Sequence, residues 1–141
     1  MQSEAIWIID PDDDDRQLAW EISKELALLD EFVFLRNAEE TLDLMSKVES
    51  APFIIICELN LHKTNGFELR KQLLESNSKK FKSVPFIYWS TFASEAQITH
   101  AYELAVHGFF IKEPSLDEMK KTFIEIINYW KKSRMPSKQE Q

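Results

Sequence analysis

The fold of this chain is decided by residues 53–60, which read Phe-Ile-Ile-Ile-Cys-Glu-Leu-Asn. Five apolar residues run without a break and end at Glu58, and residues 61–66 then read as a loop. A short apolar run rich in Ile, bounded by Pro52 and Gly66, predicts a strand that is buried on both faces of a parallel sheet. Open α/β sheets bind their ligands at the carboxyl ends of such strands, so Glu58 is the first candidate site residue.

Four more apolar runs alternate with helical segments along the chain. They predict strands at residues 5–9, 32–35, 85–89 and 108–111, and amphipathic segments predict a helix after each strand. Four of these helices have N-cap residues at their predicted starts: Asn37, Asn65, Ser94 and Ser115. The alternation predicts a parallel sheet covered by helices on both faces. We assign it to the three-layer α/β fold of flavodoxin-like type, with five strands in the doubly wound order 2-1-3-4-5. Residues 78–82 are expected to be a polar connection.

The composition is that of one soluble globular domain. The 141 residues are 44% hydrophobic and 29% charged, and we assign residues 1–132 to the domain and residues 133–141 to a flexible C-terminal tail. The net charge of -7 argues against nucleic acid or an anionic membrane as a partner. The single cysteine supplies no disulfide framework, and nothing resembles a signal peptide or a membrane span, so we expect a cytoplasmic protein.

Polar side chains stand at the carboxyl ends of four predicted strands. They are Asp10, Glu58, Ser90 (with Thr91 after it) and Lys112. In the predicted strand order these ends are neighbours, and two carboxylates, a hydroxyl and an ammonium suit a divalent cation beside a phosphoryl group. The acidic residues 12–15 are expected to be mostly solvated and to cap the first helix.

These residues, in this order, resemble the receiver domain of bacterial response regulators over about residues 4–130. The resemblance is carried by residues 6–10 with 14–16, 58–61 with 65–68, 88–91, 101–104 and 109–112. It implies phosphorelay signalling in a two-component system, in which a histidine kinase phosphorylates an Asp after the third strand. It also implies that a kinase or a downstream target binds the fourth helix, fifth strand and fifth helix.

The same resemblance assigns roles to individual residues. Glu58 stands at the phosphoacceptor position, with Ser90 and Lys112 beside it, and Thr91 and Phe109 stand at switch and interface positions. The implied Mg²⁺ ligands are three groups: the Asp10 and Glu58 carboxylates and the backbone carbonyl of Asn60.

The chain departs from the receiver pattern around this pocket. Glu58 replaces the acceptor Asp, and Pro11 stands where the second Mg²⁺-binding acid normally lies, with Asp12 one residue farther along as a substitute. His62 replaces a proline. Lys112 is followed by Glu113 and not by proline, so we expect a trans peptide there.

Two of these departures act against phosphorylation: Pro11 removes one carboxylate from the Mg²⁺ site and so weakens it, and Glu58 is longer than Asp. The extra methylene of Glu58 moves its carboxylate about 1.5 Å, and a misplacement of ~1 Å can cost 10²-fold in rate. We therefore predict an atypical receiver that is not an enzyme, that needs no cofactor unless the acidic pocket still holds Mg²⁺, and in which Glu58 reaches toward Lys112 and Ser90.

Three alternatives stay open. For the function, the site is altered but still accepts a phosphoryl group with Mg²⁺, or the protein is a flavodoxin-like cofactor binder. For the oligomeric state, the open alternative is a homodimer. The cofactor binder is disfavoured because the acidic residues 10–15 would repel a phosphate.

Overall fold

A computed structural model describes residues 5–28, 31–76 and 79–136 of the chain. The strands are β1 (Ile6–Ile9), β2 (Phe32–Leu35), β3 (Ile54–Cys57), β4 (Asn60–Leu61), β5 (Thr64–Asn65), β6 (Phe86–Ser90) and β7 (Gly108–Ile111). The helices are α1 (Asp13–Glu25), α2 (Ala38–Lys47), α3 (Gly66–Glu75), α4 (Lys79–Lys82), α5 (Glu95–Glu103) and α6 (Leu116–Lys132).

Five parallel strands form the central sheet, in the order β2-β1-β3-β6-β7. When the two short strands β4 and β5 are left out of the numbering, this order becomes 2-1-3-4-5, as the sequence predicts. The register pairs Ile9 with Cys57, so the chain leaves β1 and β3 at the same edge of the sheet. The fold class is therefore confirmed, and the predicted site residues are brought to one edge.

Each face of the sheet has its own hydrophobic core because successive strand residues point to opposite sides. Alternate residues such as Ile8, Ile56 and Trp89 pack with α1 and α6. The residues between them, such as Ile9 and Cys57, pack with α2, α3 and α5. The sheet is thus buried on both sides, which explains why the strands read as unbroken apolar runs.

The predicted helix starts are confirmed by their hydrogen bonds. Asn37, Asn65, Ser94 and Ser115 each accept the backbone N–H of the residue three positions later. At α5 the side chain of Gln97 also bonds back to the Ser94 N–H, which completes a capping box. These caps fix where α2, α3, α5 and α6 leave the strand ends.

Two connections contain more structure than the sequence suggests. Residues 61–66, expected to be a loop, include the antiparallel pair β4–β5, and the expected connection at residues 78–82 includes the short helix α4. This helix is held to the domain because Phe81 is buried against Trp7 and the Lys80 ammonium donates to the carbonyls of Val48 and Glu49.

The ends of the chain are described only in part. Helix α6 ends at Lys132, and residues 133–136 are not helical. Residues 1–4 and 137–141 lie outside the described residues, so the division into a domain and a tail stays a prediction. Ser78, the first residue of the predicted connection at 78–82, also lies outside them. Within the described residues no helix combines the length and apolarity needed to cross a bilayer.

Candidate functional site

The carboxyl edge of the sheet opens into a cleft of about 520 Å³. Asp10 follows β1, Glu58 follows β3 and Ser90 ends β6, and all three line the cleft. Its rim includes Asp12, Asn60 and Thr91, which are exposed. The structure therefore places most of the predicted site residues around one space.

Lys112 lies beneath this cleft and joins its carboxylates. The Lys112 Nζ donates to Asp10 Oδ2 at 2.7 Å, to Asp15 Oδ2 at 2.7 Å and to Glu58 Oε1 at 2.9 Å. Its side chain is only 7% exposed, and the ammonium stands 4.6 Å from the centre of the Trp89 ring. An ammonium has three N–H donors, so each of them has a carboxylate acceptor.

Asp15 is a site residue that the sequence analysis missed. The acidic residues 12–15 were assigned to capping and solvent, and Asp12 does cap α1 by accepting the N–H groups of Asp14 and Asp15. The Asp15 carboxylate instead contacts Lys112 and is 27% exposed. A signal was present in the sequence, since an acid one turn into a helix that directly follows β1 lies near the end of that strand.

Both oxygens of the Glu58 carboxylate are held. Glu58 Oε1 accepts from Lys112, and Oε2 accepts from the backbone N–H of Asn60 at 3.0 Å. The second contact proposed for Glu58, with Ser90, is not formed in the described part of the chain, because the Ser90 hydroxyl donates to the carbonyl of Phe92 at 3.0 Å. Glu58 is therefore turned toward Lys112, and Ser90 stabilises its own loop.

Burial sets the electrostatics of this cluster. Asp10 is 0% exposed, and its desolvation raises its pKa to about 6, with the Lys112 ammonium offsetting part of the effect. Burial alone would lower the pKa of Lys112, but its contacts with Asp10, Asp15 and Glu58 outweigh this and raise it. Lys112 is thus firmly cationic, and the whole cluster carries more negative than positive groups.

The residues present do not fit a resident Mg²⁺ in this arrangement. The Asp10 and Glu58 carboxylates are engaged by Lys112 and by the backbone N–H groups of Asp12 and Asn60. Asp12 is the proposed substitute ligand, and its Oδ1 accepts the Asp14 N–H in the cap of α1. Among the described residues no group of three His, Cys, Asp or Glu side chains is arranged to hold a metal ion.

The two predicted switch residues lie in different surroundings. Thr91 is exposed at the cleft. Phe109 is half-buried in the core and packs on Tyr88, with ring centres 5.5 Å apart, while the Tyr88 hydroxyl donates to the Gly66 carbonyl at 2.7 Å. Phe109 therefore contacts a buried aromatic that is tied to the start of α3.

The loop after Glu58 has a backbone that proline would not allow. His62 has a φ of 68° in the turn between β4 and β5, whereas the proline ring holds φ near about −65°. The departure from the receiver pattern at this position is therefore matched by a different loop shape. No peptide bond in residues 5–28, 31–76 or 79–136 is cis, so the trans peptide predicted after Lys112 is confirmed.

Comparison with protein families gives a match to the response regulator receiver domain over residues 6–124. The chain is 29% identical over 101 residues to the probable methanogenesis regulatory protein FilR2 of Methanothrix harundinacea (strain 6Ac). That alignment covers 69% of this chain and 64% of the relative, so the chain spans just under two thirds of the relative's length.

Solved structures of response regulators share the fold. The phosphorylated cyanobacterial phytochrome response regulator RcpA superposes with a TM-score of 0.83 at 24% identity, over 95% of this chain and 99% of RcpA. The Mn²⁺-bound form of response regulator Rcp1 superposes with a TM-score of 0.78 at 20% identity, over 95% and 99% of the two chains. At these identities the likeness is one of fold.

Proposed function

The chain belongs to the response regulator receiver domain family, and from this we propose that it is an atypical receiver in two-component signalling that acts by binding a partner protein, with Glu58 in place of the phosphoacceptor Asp. In this proposal the protein is a binding module and not an enzyme. The observation that carries it is the fixed Glu58 carboxylate, since Lys112 and the Asn60 N–H hold one oxygen each.

The held carboxylate is poorly suited to attack a phosphoryl donor. In-line attack needs a free oxygen at the right distance, and Glu58 is both longer than Asp and restrained. The site also lacks an acid at Pro11, and Asp12 is committed to the helix cap. Both features point to a receiver that keeps the shape of the site without the reaction.

The test is incubation with acetyl phosphate and Mg²⁺, after which mass spectrometry of the intact protein measures any added phosphoryl group. We expect no added phosphoryl group on the wild-type chain, and none on Glu58→Gln, the matched control that cannot form an acyl phosphate. Glu58→Asp combined with Pro11→Asp restores the acceptor Asp and supplies the missing second acid, and this double variant is expected to be labelled. A wild-type chain that is labelled while Glu58→Gln is not would overturn the proposal.

The alternative of a working Mg²⁺-dependent acceptor is favoured by one observation. The cleft still joins Asp10, Glu58, Ser90 and Thr91 in one open space, as a phosphoryl site requires. The related fold of Rcp1 has been described with Mn²⁺ bound, and a receiver of this kind would use such an ion. The same labelling experiment decides between the two functions.

We propose that the partner binds the surface formed by α5, β7 and α6, which are the fourth helix, fifth strand and fifth helix of the sequence prediction. Each of these elements has one large, exposed hydrophobic side chain: Tyr102 on α5 is 54% exposed, Ile111 on β7 is 46% exposed and Tyr129 on α6 is 66% exposed. Large apolar side chains that stay exposed favour a protein partner, which is a kinase, a downstream target or a second copy. Sedimentation velocity over a range of concentrations, with Ile111→Lys as the comparison, tests for the second copy.

A further inference from the structure

We propose that the Lys112 ammonium is the resident cation of the acid cluster beneath the cleft (Asp10, Asp15 and Glu58), and that Asp15 is the positioning residue that keeps it there and thereby keeps divalent cations from these acids. The contacts are complete, because the three N–H donors of Lys112 meet three carboxylates at 2.7–2.9 Å. The acids come from the end of β1, the first turn of α1 and the end of β3. Lys112 itself follows β7, so one side chain ties four elements together.

Asp15 is available for this contact because of a change in the helix cap. In a capping box the side chain three residues after the N-cap bonds back to the N-cap N–H. Here the N-cap is Asp12, and its N–H is already donated to Asp10 Oδ1 at 2.9 Å. The Asp15 carboxylate is therefore free to turn inward to Lys112, which supplies a third negative group where Pro11 supplies none.

The dimensions of the cluster suit an ammonium better than Mg²⁺. The three oxygens stand 2.7–2.9 Å from the Lys112 nitrogen. Mg²⁺ requires oxygens at about 2.0–2.1 Å in a near-octahedral shell. A divalent ion at the Lys112 position would have to draw the carboxylates together and expel a side chain that is 7% exposed and lies against Trp89, which leaves a buried charge without its partners. An ion that approached from the open cleft would meet Asp10 Oδ1 and Glu58 Oε2, which already accept the N–H groups of Asp12 and Asn60.

This inference goes beyond the proposed function, because it concerns which cation the acid cluster holds and not whether Glu58 is phosphorylated. Its test is a Mn²⁺ titration followed by electron paramagnetic resonance, with no phosphodonor present. The variants are Lys112→Met, Asp15→Asn and Asp14→Asn. The last is the matched control, since Asp14 is an exposed acid in the same first turn and loses the same charge.

We expect wild-type and Asp14→Asn chains to bind Mn²⁺ equally weakly. Lys112→Met leaves three carboxylates without their cation and should bind at least about tenfold tighter, because the repulsion between an ammonium and a divalent cation a few ångströms away is lost. Asp15→Asn should bind more tightly than Asp14→Asn, because Lys112 is held by two acids in place of three. It should also weaken the NMR signal of the Lys112 ammonium, which a purely structural role of Asp15 would leave unchanged.

Wild-type binding as tight as that of Lys112→Met would overturn the inference, as would equal affinities for Asp15→Asn and Asp14→Asn. If Lys112→Met does not fold, the comparison of the two aspartate variants still decides. A wild-type chain that binds Mn²⁺ tightly but takes up no phosphoryl group would contradict this inference and leave the proposed function standing.

Discussion

Lys112 and Asp10 form an ion pair of 2.7 Å although the strands that they follow, β7 and β1, are separated in the sheet by β3 and β6. The stem of Lys112 crosses this distance over Trp89, whose ring centre is 4.6 Å from the ammonium. A buried pair of this kind links the two halves of the sheet edge. Its removal should therefore affect the stability of the whole domain.

The first prediction concerns Lys112→Met. This change leaves the fully buried Asp10 and the nearly buried Glu58 without their cation. We expect the free energy of unfolding to fall by about 3–5 kcal/mol at neutral pH, the usual cost of breaking a buried pair from one side. Urea unfolding followed by circular dichroism measures the change.

Lys47→Met is the control for this prediction. Lys47 pairs with Asp43 four residues earlier on α2, and both side chains are more than 60% exposed. Such a pair contributes at most about 0.5 kcal/mol. Similar losses for the two lysine variants would show that the Lys112 cluster has no special role in stability.

The second prediction is a pH dependence that arises from Asp10. Burial raises its pKa in the folded protein from 3.8 to about 6, so between these values the folded state holds a proton that the unfolded state has released. The contribution of Asp10 to stability is therefore complete below about pH 4 and is lost as the pH rises to about 6, a change of about 3 kcal/mol at 1.36 kcal/mol per unit.

Asp10→Asn isolates this contribution. The wild-type free energy of unfolding, taken relative to that of Asp10→Asn, should decrease as the pH rises from about 4 to about 6. Urea unfolding at each pH measures both curves. A constant difference over this range, or a carboxyl carbon signal of Asp10 that titrates near pH 4 in NMR, would contradict the prediction.

The strands could be predicted from the sequence because they depend on local pattern, and their order could be predicted because alternating strands and helices favour a doubly wound sheet. An unbroken run such as residues 54–57 has no polar face, so it fits only a sheet that is covered on both sides. The N-caps could be predicted as well, because the side chain of Asn37 or Ser94 and the N–H that it bonds are three residues apart. Once the strand order is known, Asp10, Glu58 and Lys112 must meet at one edge.

The missed contacts depend on tertiary geometry. Asp15 accepts from Lys112 while Asp10 accepts the Asp12 N–H, and no spacing in the sequence encodes that arrangement. The Ser90 hydroxyl is within reach of a carbonyl in its own loop, that of Phe92, and the local contact is made. Helix α4 is held by the burial of Phe81, a contact with a residue of β1 far away in the chain.

The third prediction concerns His62. Its φ of 68° is a left-handed backbone conformation that glycine adopts without strain and proline cannot adopt. We expect His62→Gly to leave the free energy of unfolding within about 0.5 kcal/mol of wild type, because relief of strain offsets the greater freedom of the unfolded chain. His62→Pro should lower it by more than about 1 kcal/mol. Equal unfolding midpoints for the two variants would argue against the left-handed turn.

The fourth prediction concerns Gly66, the first residue of α3. A Cβ at this position would lie 2.8 Å from Tyr88 Cε1, 3.0 Å from the Glu58 carbonyl oxygen and 3.1 Å from Leu59 Cα. Two of these neighbours are backbone atoms of the segment that holds Glu58, and Tyr88 is tied to the Gly66 carbonyl by its hydroxyl. We expect Gly66→Ala to lower the free energy of unfolding by about 1–3 kcal/mol, as overpacking does.

Gly108→Ala is the matched control for Gly66→Ala, since both glycines are buried and gain one methyl group. At Gly108 the nearest atom to a new Cβ is Phe110 Cε1 at 3.2 Å, and the next lie at 3.7 Å and 3.8 Å on Ile87. These are side-chain atoms, and the half-buried Phe110 ring can move by a few tenths of an ångström. Gly108→Ala should therefore be the milder change in urea unfolding. Amide NMR shifts at Glu58 and Leu59 should move in Gly66→Ala alone, and a larger loss of stability in Gly108→Ala would contradict the close approach of α3 to the Glu58 segment.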